Sequence, residues 1–322
     1  MALLEVEHLK KYFPVQDGFF NKVVGQYKAV DDVSFSIEAG ETFGLVGESG
    51  CGKTTVGKSI LRLIEPTAGT VRVAGEDITA MNKAQLREMR KKMQIIFQDP
   101  YSSLNPRMTV RTLISEPLLD YKIAADKNEA KDMVTEILKT VGLNALDMYK
   151  YPHEFSGGQR QRIMIARALA LKPDIIVCDE PVSALDVSVQ AQILNLMQDL
   201  QEELGVSYLF IAHGMPVVQH ISKRVGVMYL GHLVEVADSG EIFSHSLHPY
   251  SQALISAIPN PDPDTPNNFN IVRGEVPSLI DPPPGCLFSN RCPYCTEKCR
   301  ECMPELKEVS PGHMVACHAV NK

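Results

Sequence analysis

Residues 47–54 have the types and the spacing needed to hold a phosphate group. The segment Gly-Glu-Ser-Gly-Cys-Gly-Lys-Thr fits the pattern GxxxxGK[ST] and follows an apolar run, residues 42–46, that predicts a buried strand. A strand that leads through such a loop into a helix presents successive backbone N–H groups to an anion, and the helix dipole adds to them. The segment therefore predicts a nucleotide-phosphate site rather than a glycine-rich turn with a chance lysine.

The side chains of this loop suit nucleotide chemistry. Lys53 can reach the β- and γ-phosphates, and the Thr54 hydroxyl can ligate Mg²⁺. Glycines in the loop allow the backbone to approach the phosphates closely. The predicted ATP-binding residues of the loop are Gly47, Ser49, Gly50, Cys51, Gly52, Lys53, Thr54 and Thr55.

Two acids follow a second apolar strand, predicted over residues 175–178. Asp179 is placed to hold Mg²⁺ through water, and Glu180 is placed to polarise an attacking water molecule. An ordinary strand end with solvated acids is the alternative. Downstream of a phosphate loop, the pair favours hydrolysis of a nucleoside triphosphate.

A further anion site is predicted where residues 155–161, Phe-Ser-Gly-Gly-Gln-Arg-Gln, open a helix. Ser156 can cap that helix, and Gly157 and Gly158 leave its N-terminus open to an anion; a cap with nothing bound is the alternative. The segment resembles the signature sequence of ABC ATPases, with Phe155 in place of the more usual leucine. The resemblance implies that Ser156 to Gln159 serve the γ-phosphate held by the opposite subunit of a dimer.

The same resemblance assigns roles to single residues for which the sequence pattern alone gives only weak evidence. Gln98 matches the glutamine that contacts Mg²⁺ and the nucleophilic water, Asp186 ends the loop that communicates across the dimer, and His213 matches the switch histidine that reads the γ-phosphate. The predicted catalytic residues are Glu180, His213, Lys53 and Gln98, and the predicted Mg²⁺ ligands are Thr54, Gln98 and Asp179.

Two positions are less regular than the rest of the pattern. Members of the family usually carry an acid after the switch histidine, whereas this chain has Gly214, which could loosen the switch loop. Adenine usually stacks on an aromatic ring of the N-terminal sheet, and Phe13 matches that position best, with Tyr12 and Tyr27 as alternatives.

The elements that must position these residues alternate between strand and helix. The predicted fold is α/β: an ABC-type P-loop NTPase with a RecA-like parallel sheet, an antiparallel β subdomain and a helical subdomain over about residues 99–171. We predict an ATPase domain over residues 1–257. Beyond it, over residues 258–322, lie a proline-rich linker and a small cysteine-rich extension.

Composition narrows the class of protein. Lys+Arg 32 against Asp+Glu 39 gives a net charge of −7, which disfavours a nucleic-acid partner. No stretch approaches the roughly 18 apolar residues of a membrane span, and the N-terminus lacks the layout of a signal peptide. We therefore expect a cytoplasmic protein that reaches a membrane only through a protein partner.

The C-terminal region narrows the family. The segment beginning His248-Pro-Tyr, the proline-rich linker and residues 285–293 resemble the extension of ATPase subunits in dipeptide, oligopeptide and nickel importers, closest to the F-type subunit of peptide permeases. The resemblance implies a heterodimer with a homologous D-type ATPase, two transmembrane permease subunits and, indirectly, an extracellular solute-binding protein. It also implies a peripheral location on the cytoplasmic face of the cell membrane. The cargo is expected to be peptide, with nickel or another small solute as the alternative.

Six of the eight cysteines lie within residues 286–317. The resemblance implies that Cys286, Cys292, Cys299 and Cys317 bind a [4Fe–4S] cluster. Four thiolates also suit structural Zn²⁺, and Cys295 and Cys302 create two CxxC pairs, so zinc, free thiols and disulfides stay open as alternatives.

The sequence leaves two other functions as alternatives. A soluble ABC protein acting on DNA or the ribosome would usually carry two cassettes or a long coiled-coil insertion, and neither is visible in the sequence. A non-hydrolysing regulatory partner is suggested only by Gly214, and the intact Lys53, Asp179, Glu180 and His213 weigh against it.

Overall fold

The structure, a computed structural model, describes residues 2–17, 22–258, 274, 277–280, 282 and 284–321. Most of the predicted proline-rich linker lies outside these residues. None of the helices in the described ranges combines the length and apolar composition needed to span a membrane.

The strands, in chain order, are β1 (Leu4–Asp17), β2 (Lys22–Ile37), β3 (Thr42–Val46), β4 (Ala68–Val73), β5 (Glu76–Asp77), β6 (Met93–Ile96), β7 (Ile175–Asp179), β8 (Ser207–Ala212), β9 (Arg224–Tyr229), β10 (His232–Asp238), β11 (Lys307–Ser310) and β12 (His313–Val315). The α-helices are α1 (Lys53–Ile60), α2 (Lys83–Met89), α3 (Pro100–Ser103), α4 (Val110–Asp120), α5 (Lys127–Thr140), α6 (Gly157–Leu169), α7 (Val187–Leu204), α8 (Met215–Ile221), α9 (Ser239–His245), α10 (Pro249–Ser256) and α11 (Glu297–Glu301). Short 3-10 helices cover Ala145–Tyr149 and Pro152–Glu154.

The chain separates into two compact units. Of the described residues, those within 38–41 and 80–210 form the first unit, and those within 2–37, 42–79 and 211–321 form the second.

The first unit carries parallel strands and most of the helices. β6 and β7 pair in parallel, with Met93 opposite Ile175, and β8 follows β7 in the sheet order. Every residue of β7 is buried, as the apolar run over residues 175–178 predicts, and the strand includes Asp179. The helices α4, α5 and α6 pack on one another through apolar residues such as Leu113, Val134 and Ile163, which confirms the predicted helical region.

The second unit contains two groups of strands. The order β2-β1-β4-β5 forms an antiparallel sheet, which confirms the predicted antiparallel β subdomain. In the other group the order is β11-β12-β10-β9-β3, where β3 and β9 are parallel and the remaining pairs are antiparallel. The predicted α/β architecture is confirmed.

A hairpin of β9 and β10, which no local sequence signal predicts, follows residue 223. Its two-residue turn consists of Leu230 with φ 44° and Gly231 with φ 84°. Positive φ at both central positions is typical of a type I′ turn, which usually carries Asn-Gly or Asp-Gly. Because leucine stands in the first position here, the usual sequence signal is missing.

Candidate active site

The phosphate loop runs from the end of β3 to the start of α1, as predicted. Gly47 and Gly52 have φ values of 154° and 107°. A Cβ atom at Gly47 would lie 2.1 Å from the Met228 carbonyl oxygen, and one at Gly52 would lie 2.1 Å from the Ala29 carbonyl oxygen. The loop is therefore held between β9 and β2, where only glycine fits at these two positions.

Lys53 is directed back over this loop. Its Nζ donates to the carbonyl oxygens of Gly47 at 2.7 Å and Glu48 at 3.0 Å, and it lies 3.4 Å from Nδ1 of His213. The lysine is only 4% exposed. The second unit thus brings together the predicted phosphate lysine and the predicted switch histidine, which are distant in sequence.

The other residues of the phosphate loop differ in how far their side chains are exposed to solvent. Ser49 and Gly50 are exposed, Thr54 and Thr55 are half-buried, and Cys51 is buried. Burial raises the pKa of the Cys51 thiol despite the neighbouring Lys53 ammonium. Cys51 therefore serves as a packed, protonated side chain rather than as a nucleophile.

A cavity of about 240 Å³ lies beside the exposed face of the loop. Its lining includes Ser49, Gly50, Cys51, the ring of Tyr27 and the segment 277–280. Phe13 is not among the lining residues. Its ring is covered by the Lys11 ammonium, 4.9 Å from the ring centroid.

The predicted acids lie at the end of β7 in the first unit. Asp179 and Glu180 are both buried, and Glu180 has a φ of 52°, which is unusual for a residue with a side chain. Gln98 Nε2 donates to Glu180 Oε2 at 2.6 Å. The structure therefore joins the predicted glutamine and the predicted general base directly.

The segment after Gln98 is fixed by a helix cap. The Asp99 side chain accepts a hydrogen bond from the Tyr101 backbone N–H at 2.8 Å, and this bond lowers the pKa of the Asp99 carboxyl. Gln98 itself is exposed on the short segment between β6 and α3.

The signature segment opens α6 with a complete capping box. Gln159 N–H donates to Ser156 Oγ at 3.4 Å, and Ser156 N–H donates to Gln159 Oε1 at 3.0 Å. Ser156 and Gln159 are exposed, whereas Phe155 is buried, so the unusual phenylalanine occupies a packing position. A Cβ atom on Gly158 would lie 2.5 Å from Val189 Cγ1 on α7, a close contact that the sequence analysis did not foresee.

Asp186 is the N-cap of α7. Its carboxylate accepts from the Ser188 hydroxyl at 2.7 Å and from the Val189 N–H at 3.0 Å, and these bonds lower the pKa of the carboxyl. The residue is exposed.

Gly214 lies before α8 with ordinary backbone angles, φ −83° and ψ 115°. A Cβ atom there would meet only Val217 Cγ2, at 3.8 Å. The backbone would therefore accept the acid that the family usually carries, and no strain explains the glycine.

A backbone hydrogen bond joins two of the cysteines predicted to hold the cluster. The Cys286 N–H donates to the Cys299 carbonyl oxygen at 2.7 Å. Burial raises the pKa of the Cys286 thiol to about 11. All eight cysteines are described and none forms a disulfide.

Within the described residues, no three side chains of histidine, cysteine, aspartate or glutamate converge in metal-holding geometry. Four cysteines supply the number of thiolates that a tetrathiolate site requires, but the described side chains are not arranged as in a ligated site.

Two residues that touch the phosphate loop were not predicted. The Tyr250 hydroxyl accepts from the Glu48 N–H at 2.8 Å, and the Arg291 guanidinium pairs with the Glu48 carboxylate. Both come from the C-terminal part of the chain, and no local sequence signal links them to the loop.

A phosphate loop with its lysine, a buried strand ending in two acids and a capped Ser-Gly-Gly-Gln helix define a P-loop ATPase of the ABC type. Comparison with known proteins supports this class. Residues 30–183 match the ABC transporter family, and residues 234–299 match the family described as oligopeptide/dipeptide transporter, C-terminal region.

Relatives match along nearly the whole chain. The oligopeptide transport ATP-binding protein AppF of Bacillus subtilis is 50% identical over 320 residues, 98% of this chain and 97% of its own length. A probable peptide ABC transporter ATP-binding protein of Sinorhizobium fredii, y4tS, is 50% identical over 317 residues, 98% of this chain and 90% of its own length.

Solved structures support the fold. The post-hydrolysis dimer of the ATP-binding cassette MJ0796, bound to ADP and phosphate, aligns with a TM-score of 0.65 at 28% identity, covering 73% of this chain and 98% of that one. The chain belongs to the ATP-binding subunits of ABC transporters, in the branch that carries the oligopeptide/dipeptide transporter C-terminal region. It is an ATPase.

Proposed function

We propose that this chain is the ATP-hydrolysing subunit of a membrane importer for dipeptides or oligopeptides. The observation that carries the proposal is identity of about half of all residues to oligopeptide transport ATP-binding proteins, extending through the cysteine-rich extension. Closure of two such subunits around ATP would move the permease between its two states, and hydrolysis would reset them.

Each predicted site residue receives a role in this proposal. Lys53 neutralises charge on the β- and γ-phosphates, Glu180 polarises the attacking water, and His213 orders the γ-phosphate. Thr54, Gln98 and Asp179 are the proposed Mg²⁺ ligands. The 2.6 Å hydrogen bond between Gln98 and Glu180 supports their joint role at the attacking water.

Two aromatic residues at paired positions of β1 and β2, Phe13 and Tyr27, are the candidates for stacking on adenine. Phe13 remains the proposed residue on the resemblance, but the position of Tyr27 beside the phosphate loop favours the alternative. Stacking of adenine on Tyr27 would place the base next to Ser49 and Gly50.

The proposed assembly is a heterodimer with a homologous D-type ATPase on two permease subunits, at the cytoplasmic face of the membrane, supplied by an extracellular solute-binding protein. Exposure of Ser156, Gln159 and Asp186 supports composite sites, because these residues are free to meet a nucleotide held by the partner. We propose that residues 1–257 form the ATPase domain, with a helical subdomain over about residues 99–171. Residues 258–322 form the proposed linker and extension.

For the extension we propose that Cys286, Cys292, Cys299 and Cys317 hold a [4Fe–4S] cluster, with zinc as the alternative. The backbone hydrogen bond from Cys286 to Cys299 and the burial of Cys299 and Cys317 support this set, whereas Cys302 is exposed. Metal analysis and an absorption spectrum of the anaerobically purified chain test this. Iron with sulfide, lost in Cys299→Ser and kept in Cys302→Ser, supports the cluster, whereas zinc alone or no metal rejects it.

Uptake of a labelled dipeptide or oligopeptide tests the transport function. Cells lacking this gene and any redundant peptide system are complemented with the parent chain or with Glu180→Gln at matched expression. We expect uptake to return only with the parent chain. Equal peptide uptake with and without the parent chain would reject peptide as the cargo, and nickel uptake would then be measured in the same strains.

A further inference from the structure

An arginine of the cysteine-rich extension is bound to the phosphate loop. Arg291 donates from both terminal nitrogens to both oxygens of Glu48, the second residue of the loop, at 2.9 Å each. One nitrogen also donates to the Tyr229 hydroxyl at 3.3 Å. A bidentate pair of this kind fixes both distance and orientation.

Contacts with neighbouring residues, including Phe288 of the extension, hold the Arg291 side chain in place. Its side chain is 8% exposed, and its guanidinium carbon lies 5.8 Å from the ring centroids of both Tyr229 and Phe288. Its backbone N–H donates to the Phe288 carbonyl oxygen, in a loop whose ends are Cys286 and Cys292. The position of Arg291 therefore depends on how the cysteine loop is folded.

Glu48, the partner of Arg291 in the phosphate loop, also contacts the predicted catalytic lysine. The carbonyl oxygen of Glu48 accepts from Lys53 Nζ at 3.0 Å, and the Glu48 N–H donates to the Tyr250 hydroxyl at 2.8 Å. The Glu48 carboxylate, 32% exposed, belongs to the loop that receives the phosphates of ATP. Without a counter-charge, this carboxylate would repel the triphosphate.

We propose that Arg291 is a positioning residue for ATP. It neutralises the Glu48 carboxylate beside the phosphate site, so that nucleotide binding by the ATPase depends on the folded cysteine-rich extension. Arg291 touches neither phosphate nor Mg²⁺ in this role; it acts through Glu48.

The test uses the full-length chain and a fluorescent ATP analogue with Mg²⁺. Arg291→Ala is expected to raise the Kd for the analogue about tenfold, because Glu48 is left as an uncompensated negative charge. The ratio of variant to parent Kd should shrink as salt is raised, since salt screens the repulsion. Arg300→Ala, on an exposed arginine of the same extension, is the matched control and should bind as the parent does.

A second substitution separates charge from folding. Adding Glu48→Gln to Arg291→Ala removes the uncompensated charge and should return the Kd to within about threefold of the parent. Glu48→Gln alone should bind ATP as tightly as the parent or more tightly. The proposal is overturned if Arg291→Ala binds like the parent, if Glu48→Gln fails to restore binding to the double variant, or if Glu48→Gln alone weakens binding tenfold.

Thermal unfolding of every variant is measured alongside. If Arg291→Ala does not fold, the Glu48→Gln single variant still decides the matter, because an electrostatic role for Arg291 forbids weaker binding when the carboxylate is removed. Turnover with saturating ATP should change less than KM in Arg291→Ala, since the pair prepares the loop for binding rather than for the attack of water.

Discussion

Glu180 combines burial, backbone strain and a direct hydrogen bond in one residue. Its φ of 52° lies in the left-handed region, and its carboxylate accepts from Gln98 at 2.6 Å. A residue held in such a conformation needs support from its surroundings. Here the buried β7 fixes the backbone, and Gln98 fixes the side chain.

Glu180→Gln should bind ATP normally and hydrolyse it about 10²- to 10⁴-fold more slowly. The variant keeps an oxygen that can accept from Gln98, so the fold should be unchanged, whereas an amide cannot polarise water as a base. Steady-state phosphate release and ATP binding are the measurements, with Glu203→Gln on the exposed face of α7 as control. Turnover at the parent rate would remove Glu180 from the mechanism.

His248 is buried as a neutral imidazole. Burial lowers its pKa from 6.5 to about 4, and its Nδ1 accepts from the Tyr250 N–H at the start of α10. Between pH 4 and 6.5 the unfolded chain therefore binds more protons at this residue than the folded chain. The neutral His248 imidazole therefore makes its full contribution to the free energy of unfolding above pH 6.5, and this contribution is lost as the pH falls toward 4.

Lowering the pH from 7.5 to 5.5 should therefore cost about 1 kcal/mol through His248. His248→Asn keeps an acceptor for the helix cap and cannot titrate, so it should reduce the pH dependence of urea unfolding by that amount. An unaltered pH profile in His248→Asn would show that the buried imidazole is not the titrating group.

At the scale of elements, the signature helix depends on its contact with α7. Gly158 on α6 faces Val189 so closely that a Cβ atom would lie 2.5 Å from Val189 Cγ1. The glycine that leaves the helix N-terminus open thus also sets the distance between two helices. The Asp186 cap fixes the start of α7 on the other side of the same contact.

Gly158→Ala should lower the free energy of unfolding by about 1–3 kcal/mol through overpacking. Adding Val189→Ala should recover much of that loss, because it removes the methyl group that clashes. Gly240→Ala, where a Cβ atom meets nothing within 4 Å, is the control for the glycine-to-alanine change. Denaturant unfolding measures all four chains, and a fully stable Gly158→Ala would contradict the close contact.

For the whole molecule, the extension is joined to the ATPase body by backbone pairing and by a buried carboxylate. β12 pairs with β10, with Glu235 opposite Val315. Glu235 is 0% exposed and accepts from His313 Nε2 at 2.7 Å and from the N–H groups of Leu247 and His248. One side chain therefore links β10, β12 and the start of α10.

Glu235→Ala should destabilise this chain by at least about 2 kcal/mol, because it leaves buried donors without acceptors. Glu235→Gln retains one oxygen and should cost less. Limited proteolysis should release fragments of the extension sooner in Glu235→Ala than in Glu305→Ala, a control at an exposed surface ion pair. Equal protection of the extension in both variants would show that Glu235 does not anchor it.

The sequence alone determined the chemistry and most of the local elements. Motifs such as the phosphate loop and the acids after β7 are contiguous, and their residue types follow from what phosphates and Mg²⁺ require. Strand β3, over residues 42–46, was predicted with its observed bounds, because a continuous apolar run carries its own signal.

Tertiary structure decided the contacts between distant segments. The pairing of Arg291 with Glu48, the approach of Val189 to Gly158 and the position of Tyr27 beside the phosphate loop join residues with no shared local pattern. The hairpin of β9 and β10 was missed for a similar reason, since its turn carries Leu230 where a short polar residue is usual. Contacts of this kind depend on which surfaces pack together in the folded chain, and the spacing of residues along the sequence does not encode that packing directly.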